Sequence, residues 1–266
     1  MQLSETSERH PAAIVLAGGE SARFGRLGEL LHKALVPVTE SQTLLSRNLD
    51  YLYESGITNV IISTSPKSFQ VLEPFIDRYN NLEIKNNRPT AFCPRLIANP
   101  LHSVSSLAAL NQIISDDQTG NYLMLFADMF FTTNPYIRIS DLMHRTDNLI
   151  GAFPRPTESD CARGGLALIR DGECKRMFLK FTECGGCDQR EIFAWSGITV
   201  FDVNVADDLN DFVLASNSMI EEDFINFCIN KGRRFSAYEV DRFINVNSYS
   251  DYMEVLCSKS LTKPSH

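Results

Sequence analysis

Residues 12–25 read "AAIVLAGGESARFG", an apolar run that enters a glycine-rich turn. The run 12–17 predicts a strand that is buried on both faces, as in a parallel sheet covered by helices. The turn that follows contains the adjacent glycines Gly18 and Gly19, whose backbone N–H groups no side chain covers. Open α/β sheets bind ligands at the carboxyl ends of their strands. The stretch therefore predicts an anion-binding turn at the edge of an α/β sheet.

The rest of the first half continues the alternation of strands and helices. Helices are predicted at 43–56, 65–80 and 103–115 and after Asn134, and strands at 59–64, 82–86, 121–128 and 148–155. The strands are short and apolar throughout, which indicates a mostly parallel sheet with helices on both faces. We expect a three-layer α/β/α fold around a mixed sheet.

The second half has a different pattern. Residues 165–181 predict a β-hairpin that turns at "RDGE" (170–173), and 191–202 predict a long strand. Ser218 and Glu221 have the spacing of a capping box before a helix, and a last helix is predicted near Ser250. We interpret these elements as antiparallel additions to one domain that spans 1–266. A nucleotide-binding half (12–150) and an acceptor-binding half (151–257) lie between flexible ends, at 1–11 and 258–266.

Composition excludes several classes of protein. The 266 residues carry a formal net charge of −8 with a pI near 5.2, which argues against a nucleic-acid or membrane-surface partner. Neither a secretory signal nor an apolar run of membrane-spanning length is visible, so we expect a cytoplasmic protein. Seven cysteines include the "CGGC" at 184–187. Because this CxxC lies in a glycine-rich loop and lacks further ligands at close spacing, structural thiols are the favoured interpretation.

Two well-known phosphate loops do not fit the turn. The dinucleotide fingerprint GxGxxG is absent because Gly18 and Gly19 are adjacent and the next glycine is Gly25. The GxxxxGK[ST] loop is absent because Arg26 follows Gly25 and the next lysine is Lys33. A usual Rossmann cofactor site and a P-loop ATPase are both disfavoured.

Together, "LAGGESARFG" (16–25) and "HKALVPV" (32–38) resemble the signature loop of the sugar-phosphate nucleotidyltransferases. His32 departs from that pattern, in which proline often precedes the lysine. The resemblance implies a sheet of the nucleotide-diphospho-sugar transferase (GT-A-like) type. It also implies that Arg23 and Lys33 neutralise charge during catalysis, and that the nucleotide is bound by Leu16, Ala17, Gly18, Gly19 and Ser21.

The resemblance extends to an implied metal site. The apolar strand in "NYLMLFAD" ends in Asp128, as does the family strand that supplies a magnesium ligand. The segment "FINVNSYSDYMEV" resembles the closing motif of the family and places Asn247 at the second metal position. Asp251 would then be a cap or first-turn residue of the last helix. The implied cofactor is Mg²⁺, a hard cation that prefers oxygen ligands.

Further matches imply the positions of the base and the acceptor. "LHS" (101–103) lies where the family contacts the base, which implies roles for His102 and Ser103; a capped helix start is the other interpretation of this turn. Gly165, Glu183 and Gly197 correspond to acceptor-side positions, although the lysine and proline that follow the family glutamate are missing. Trp195, the only tryptophan, is more typical of a core residue.

The function implied by the resemblance is Mg²⁺-dependent transfer of a nucleoside monophosphate from an NTP to a sugar 1-phosphate, with release of pyrophosphate. The partners are then an NTP and a small phosphorylated acceptor. Open alternatives are cytidylyl transfer to phosphocholine or a polyol phosphate, guanylyl transfer to the molybdenum cofactor, and a non-catalytic nucleotide-binding paralogue. A glycosyltransferase is disfavoured because Phe130 replaces the second aspartate of a D-x-D motif. The base, the acceptor, the pathway and the oligomeric state, including a homo-oligomer, stay open.

Overall fold

The computed structural model describes residues 12–19, 24, 28, 31–85, 92–116, 120–143, 148–153, 156, 165–202, 204–216 and 220–258. The described strands, in chain order, are β1 Ala12–Leu16, β2 Asn59–Thr64, β3 Arg95–Ala98, β4 Tyr122–Phe126, β5 Met129–Phe131, β6 Leu149–Phe153, β7 Leu166–Arg170, β8 Glu173–Phe178, β9 Ile192–Phe201, β10 Phe235–Glu239 and β11 Phe243–Asn245. The described α-helices are α1 Leu44–Glu54, α2 Pro66–Lys85, α3 Ser106–Asp116, α4 Tyr136–Met143, α5 Val205–Ala215, α6 Glu221–Asn230 and α7 Tyr249–Ser258.

A mixed nine-stranded sheet forms the centre, in the order β3-β2-β1-β4-β9-β6-β10-β8-β7. β1 lies between β2 and β4 and is parallel to both. β9 comes from the second half of the chain but pairs antiparallel with β4 and β6. Both halves therefore contribute to one sheet, with the parallel strands and antiparallel additions that the sequence predicts.

Two hydrophobic clusters cover the two faces of the sheet. In β1, Ala13 and Val15 belong to one cluster, and Ala12, Ile14 and Leu16 belong to the other. The first cluster contains buried side chains of α1, α2 and α4, whereas the second contains those of α3, α5 and α6. Because successive strand residues face opposite sides, the all-apolar strand requires this three-layer arrangement.

Several local predictions are confirmed at the residue level. Asn134 accepts a hydrogen bond from the Tyr136 backbone N–H at 2.9 Å at the start of α4. Ser105 caps α3, since its hydroxyl accepts from the Ala108 N–H at 3.0 Å. The predicted hairpin is β7–β8, and it turns at Asp171 and Gly172, which have φ of 52° and 73°. Consecutive positive φ values are typical of a type I′ turn.

Two predictions were wrong. The segment predicted as a strand at 82–86 continues α2 to Lys85, and the strand at this edge of the sheet is β3 instead. No glycine or proline interrupts the chain there, and an apolar run this short fits either period. The predicted capping box is also absent, because α6 begins at Glu221 with Ile220 as its N-cap. Ser218 lies outside the described residues.

A small two-stranded sheet extends the edge where β1 and β4 end. β5 and β11 pair antiparallel, with Asn245 opposite Met129. A third hydrophobic cluster, which includes Phe130, Val246 and Val255, attaches this sheet and α7 to the main body. The sequence patterns did not predict β5, β10, β11 or α5.

Candidate active site

Ala17, the first residue of the glycine-rich turn after β1, is held by hydrogen bonds to the end of β2. The Ala17 N–H donates to the Ser63 carbonyl at 2.8 Å, and the Ala17 carbonyl accepts from the Thr64 hydroxyl at 3.0 Å. Within the described part of the chain, the next two N–H groups, of Gly18 and Gly19, have no hydrogen-bond acceptor. Both glycines line a cavity, so their amides are available to an anionic ligand.

Opposite this turn, Lys33 joins two residues that are distant in sequence. Its ammonium group forms an ion pair with Asp128 and also donates to the Asn247 Oδ1 at 3.3 Å. Lys33 begins a 3₁₀ turn that is capped by His32, whose Nδ1 accepts from the Ala34 N–H at 3.3 Å. The structure thus brings together three of the predicted site residues.

Sheet geometry explains how Asp128 and Asn247 meet. Asp128 follows β4 at the carboxyl end of the parallel strands, in the turn between β4 and β5. The β5–β11 pairing then carries the chain back, and the Val246 N–H donates to the Asp128 carbonyl at 2.9 Å. Asn247 is fixed further by its own amide group, which donates to the Asn245 Oδ1 at 2.6 Å. This bond leaves the Asn247 Oδ1 directed at Lys33.

These oxygens fit the requirements of a magnesium ion. A carboxylate and an amide oxygen face one point, where the Lys33 ammonium is the cation in this structure. Mg²⁺ sites commonly use one or two protein oxygens and complete their shell with water and substrate phosphates. Among the described residues, no group of three or more His, Cys, Asp or Glu side chains forms an all-protein metal site. The Asp128–Asn247 pair is therefore suited to a metal that arrives with phosphate.

A cavity of about 400 Å³ opens beside this cluster. Its lining contains many of the predicted residues and others that were not predicted, namely Leu16, Ala17, Gly18, Gly19, His32, Lys33, Ala34, His102, Ser106, Phe126, Ala127, Asp128, Met129, Gly165, Trp195, Gly197, Glu221, Glu222, Asn245 and Asn247. The lining draws on both halves of the chain. A pocket of this size suits a small organic ligand.

His102 packs directly over the glycine turn. A Cβ at Gly18 would lie 2.3 Å from the His102 Nδ1, so only glycine permits this approach. The other ring nitrogen, Nε2, lies 2.8 Å from the Ser63 hydroxyl. Burial lowers the pKa of His102, and burial together with Lys33 lowers the pKa of His32 to about 4. Both imidazoles are therefore neutral at pH 7 and add no charge to the cavity.

Another part of the cavity lining combines glycines with aromatic rings. Gly197 has a φ of +74°, and a Cβ there would lie 2.8 Å from the Phe126 ring. Phe126 and Trp195 form an edge-to-face pair with ring centroids 6.0 Å apart. The backbone N–H of Trp195 donates to the Gly165 carbonyl at 2.9 Å, and its indole N–H donates to the Ile198 carbonyl at 3.2 Å. Trp195 is thus a buried core residue, as interpreted, but it lines the cavity as well.

The first turn of α6 adds Glu221 and Glu222 to this part of the lining. The Glu221 carboxylate accepts a hydrogen bond from the Ser106 hydroxyl. Glu222 is 7% exposed, and its Oε1 lies so close to Gly165 that a Cβ there would be at 2.3 Å. Burial raises the pKa of Glu221, and burial followed by the nearby acids raises that of Glu222 to about 7.

Two predicted site residues do not line the cavity. Ser103 is exposed, and its hydroxyl donates to the Pro100 carbonyl at 2.7 Å within the 3₁₀ turn Pro100–Ser103. Glu183 is exposed as well, and its carboxylate accepts from the Leu179 N–H at 3.1 Å. In both cases a hydrogen bond to a nearby backbone group holds the side chain at the surface, outside the lining of the cavity. Ser21 and Arg23 lie outside the described residues.

The "CGGC" segment lies between β8 and β9, as the loop interpretation expects. Its first half is a 3₁₀ turn, and the Cys187 N–H donates to the Cys184 carbonyl at 3.0 Å. Neither of these two described cysteines forms a disulfide bond, and Cys184 is buried whereas Cys187 is half-buried. This loop does not contribute to the cavity lining.

Sequence reasoning missed the acidic pair and the aromatic partner of Trp195. The only signal for Glu221 and Glu222 was their place in "EED" (221–223) at a helix start, where acids are common because they complement the helix dipole. Phe126 had no signal beyond its place in an apolar strand. Neither pattern indicates a cavity.

The chain combines an α/β sheet with a glycine turn and a lysine–carboxylate cluster that line the same cavity. A family model described as the MobA-like NTP transferase domain matches residues 13–158. The chain belongs to this family and is a nucleotidyltransferase. No curated protein matches it significantly.

Solved structures of similar fold cover almost the whole chain. One assigned as a glucose-1-phosphate thymidylyltransferase from Bacillus anthracis, in complex with sucrose, has a TM-score of 0.71 at 13% identity and covers 96% of this chain and 98% of its own. The CTP:phosphocholine cytidylyltransferase of Streptococcus pneumoniae gives 0.67 at 17%, covering 94% and 99%. A UDP-glucose pyrophosphorylase bound to UDP-glucose gives 0.74 at 14%, covering 96% and 100%. At these identities the likeness establishes the fold.

No described helix is both long and apolar enough to cross a membrane.

Proposed function

We propose that this chain transfers a nucleoside monophosphate from an NTP to a small phosphorylated acceptor and releases pyrophosphate. The observation that carries the proposal is the Lys33–Asp128–Asn247 cluster, which faces the same cavity as the amides of Gly18 and Gly19. A cation between oxygen ligands, beside free backbone N–H groups, is suited to hold several phosphates at once.

In the proposed step, an oxygen of the acceptor phosphate attacks the α-phosphorus of the NTP. The new P–O bond forms as the bond from the α-phosphorus to the bridging oxygen breaks, and that oxygen leaves with pyrophosphate. Because the attacking phosphate is already anionic, the step needs positioning and charge neutralisation more than a protein base. The neutral His32 and His102 agree with this requirement.

Each part of the site has a proposed role in that step. The amides of Gly18 and Gly19 bind phosphate oxygens of the triphosphate, and Lys33 neutralises charge where the two phosphates meet. Arg23, by the family resemblance, neutralises the leaving pyrophosphate. Asp128 and Asn247 are the residues that would hold Mg²⁺, which when bound supplies further neutralisation of the phosphates. His102, which packs over Gly18, is the proposed neighbour of the base.

A sugar 1-phosphate is the acceptor class that the sequence resemblance favours. Two of the neighbours in fold have names that refer to glucose 1-phosphate or UDP-glucose, and the third is named for phosphocholine. Gly165, Gly197 and Trp195 form the proposed acceptor wall.

A pyrophosphate-release assay tests the proposal. ATP, CTP, GTP, UTP and dTTP are each combined with a panel of sugar 1-phosphates, phosphocholine and polyol phosphates, with and without Mg²⁺. We expect release with at least one pair and a requirement for the metal. Magnesium-dependent NTP binding by calorimetry, without turnover for any pair, would instead indicate a nucleotide-binding protein.

A matched pair of lysine variants ties the activity to this site. Lys33→Met removes the ammonium group but retains the chain length, so we expect a large loss of kcat. Lys180→Met removes a charge from an exposed lysine that does not line the cavity, so kcat is expected to stay unchanged. Equal activity of both variants would contradict the role of Lys33.

A further inference from the structure

The proposed step accounts for the positive side of the cavity but not for the acidic side. Glu221 and Glu222 line the same cavity as Lys33, yet the chemistry at the α-phosphorus has no use for two more carboxylates. Negative charge near a triphosphate is repulsive. These side chains therefore require a different explanation.

Glu222 is a buried acid that no cation among the described residues neutralises. It is 7% exposed, and within the described part of the chain its carboxylate accepts a hydrogen bond only from its own backbone N–H. The charged groups that act on it are Glu221, Asp223 and Glu183, all of them acidic. Burying a carboxylate is costly unless a cation or a donor compensates it. A helix start that directs such a group into a cavity is thus suited to a ligand that brings the compensation.

The room for this carboxylate comes from Gly165. Any side chain there would collide with it, since a Cβ would lie 2.3 Å from the Glu222 Oε1. The Gly165 carbonyl in turn accepts a hydrogen bond from the backbone N–H of Trp195, so the residue that makes room for the acid is paired with the strand that carries Trp195. Trp195 and Phe126 line the cavity beside the carboxylates. Aromatic rings together with carboxylates are the usual surroundings of a bound ammonium group.

We propose that Glu221, Glu222 and the Phe126–Trp195 pair form a subsite for a positively charged nitrogen on the phosphorylated acceptor. The acceptor class is then a phosphate ester that also carries an amino or quaternary ammonium group. This inference rests on the proposed function, because it assumes that the acceptor phosphate binds beside Lys33. The opposite charges of such a molecule match Lys33 and the two glutamates, all of which line the cavity, and so orient the phosphate towards the nucleotide.

The test compares acceptors with and without a positive charge. Phosphocholine, phosphoethanolamine and glucosamine 1-phosphate carry the charge, whereas glycerol phosphate and glucose 1-phosphate lack it. We expect kcat/KM at least tenfold higher for a charged acceptor, and we expect Glu222→Gln to lower the charged-to-neutral ratio at least tenfold, mainly through KM. Asp207→Asn removes a charge from the exposed face of α5 and should leave the ratio unchanged. A wild-type preference for neutral acceptors, or an unchanged ratio in Glu222→Gln, would overturn the subsite.

A binding measurement separates the subsite from the catalytic proposal. Calorimetric titration with the three charged phosphates, in buffers of different ionisation enthalpy, counts protons released at pH 7. A cation beside Glu222 favours its ionised form, so we expect wild type to release more protons on binding than Glu222→Gln, in which only Glu221 and the phosphate of the ligand can still lose protons. Such release without any pyrophosphate formation would support the subsite and refute the transferase proposal. Turnover with neutral acceptors, without additional proton release by wild type, would support the transferase proposal and refute the subsite.

Discussion

Two parts of the cavity lining differ in how their charges are compensated. The proposed nucleotide wall consists of Gly18, Gly19, Lys33, Asp128 and Asn247. There the ammonium group of Lys33 is held by Asp128 and Asn247, so the charges balance in the absence of a substrate. On the proposed acceptor wall, Glu222 is buried, and the charged groups of the described residues that act on its pKa are all acidic. The first wall is preorganised and the second is destabilised in the absence of a ligand. The comparison suggests that the nucleotide wall serves the chemistry and the acceptor wall serves selection.

The largest effect on kcat is expected from a substitution in the preorganised nucleotide wall. Asp128→Asn keeps the shape of the side chain but removes the charge that holds Lys33 and would hold Mg²⁺. Loss of one transition-state contact of this kind costs about 2.7–4 kcal/mol, so we expect kcat to fall about 10²–10³-fold. Steady-state pyrophosphate release measures it, and an unimpaired variant would contradict the proposed role.

The next effect tests how rigid the acceptor wall is. Gly197→Ala forces a side chain into a positive φ and against the Phe126 ring, so we expect a loss of about 2–4 kcal/mol in unfolding free energy. The matched control is Gly56→Ala, since Gly56 has the same φ of +74° but nothing within 4 Å of the added Cβ. It should lose about 1–2 kcal/mol. Urea unfolding measures both, and equal losses would show that the Phe126 contact has no cost.

The destabilised wall predicts a dependence of stability on pH. The pKa of Glu222 is raised from 4.5 to about 7, so the folded state retains a proton that the unfolded state has lost between these values. Stability contributed by this group therefore falls as the pH rises from about 4.5 through 7. Glu222→Gln removes the penalty, and we expect it to be about 1–3 kcal/mol more stable than wild type at pH 8 and little different at pH 5. Urea titrations at both pH values measure this, and a difference that does not change with pH would argue against a buried, ionising Glu222.

The smallest expected effects lie just outside the two walls. Ser103→Ala and Glu183→Gln alter exposed side chains that bond to nearby backbone groups. We expect kcat/KM within about twofold of wild type and unfolding free energy within about 0.5 kcal/mol. A tenfold loss of kcat/KM in either variant would show that the substituted residue has a role in the site.

The fold and the nucleotide wall were largely predictable from the sequence. The strand and glycine turn at 12–19, the apolar strand before Asp128 and the hairpin turn at Asp171 each act through local geometry. The strand predicted at 82–86 failed because a short apolar run carries no decisive period. Glu221 was missed for another reason: an acid at a helix start is typical of a cap, and the pattern does not indicate that the residue lines a cavity.

The sequence by itself determined the three-layer fold, and it supplied the proposal for the residues that bind phosphate. Strand periodicity, the glycine turn and a long motif are local properties of the chain, and they do not depend on what packs against them. Tertiary structure alone decided the acceptor wall, where α6 directs Glu222 over Gly165 and beside Trp195. Those contacts join distant segments, and their effect on charge arises from burial, which no local pattern encodes.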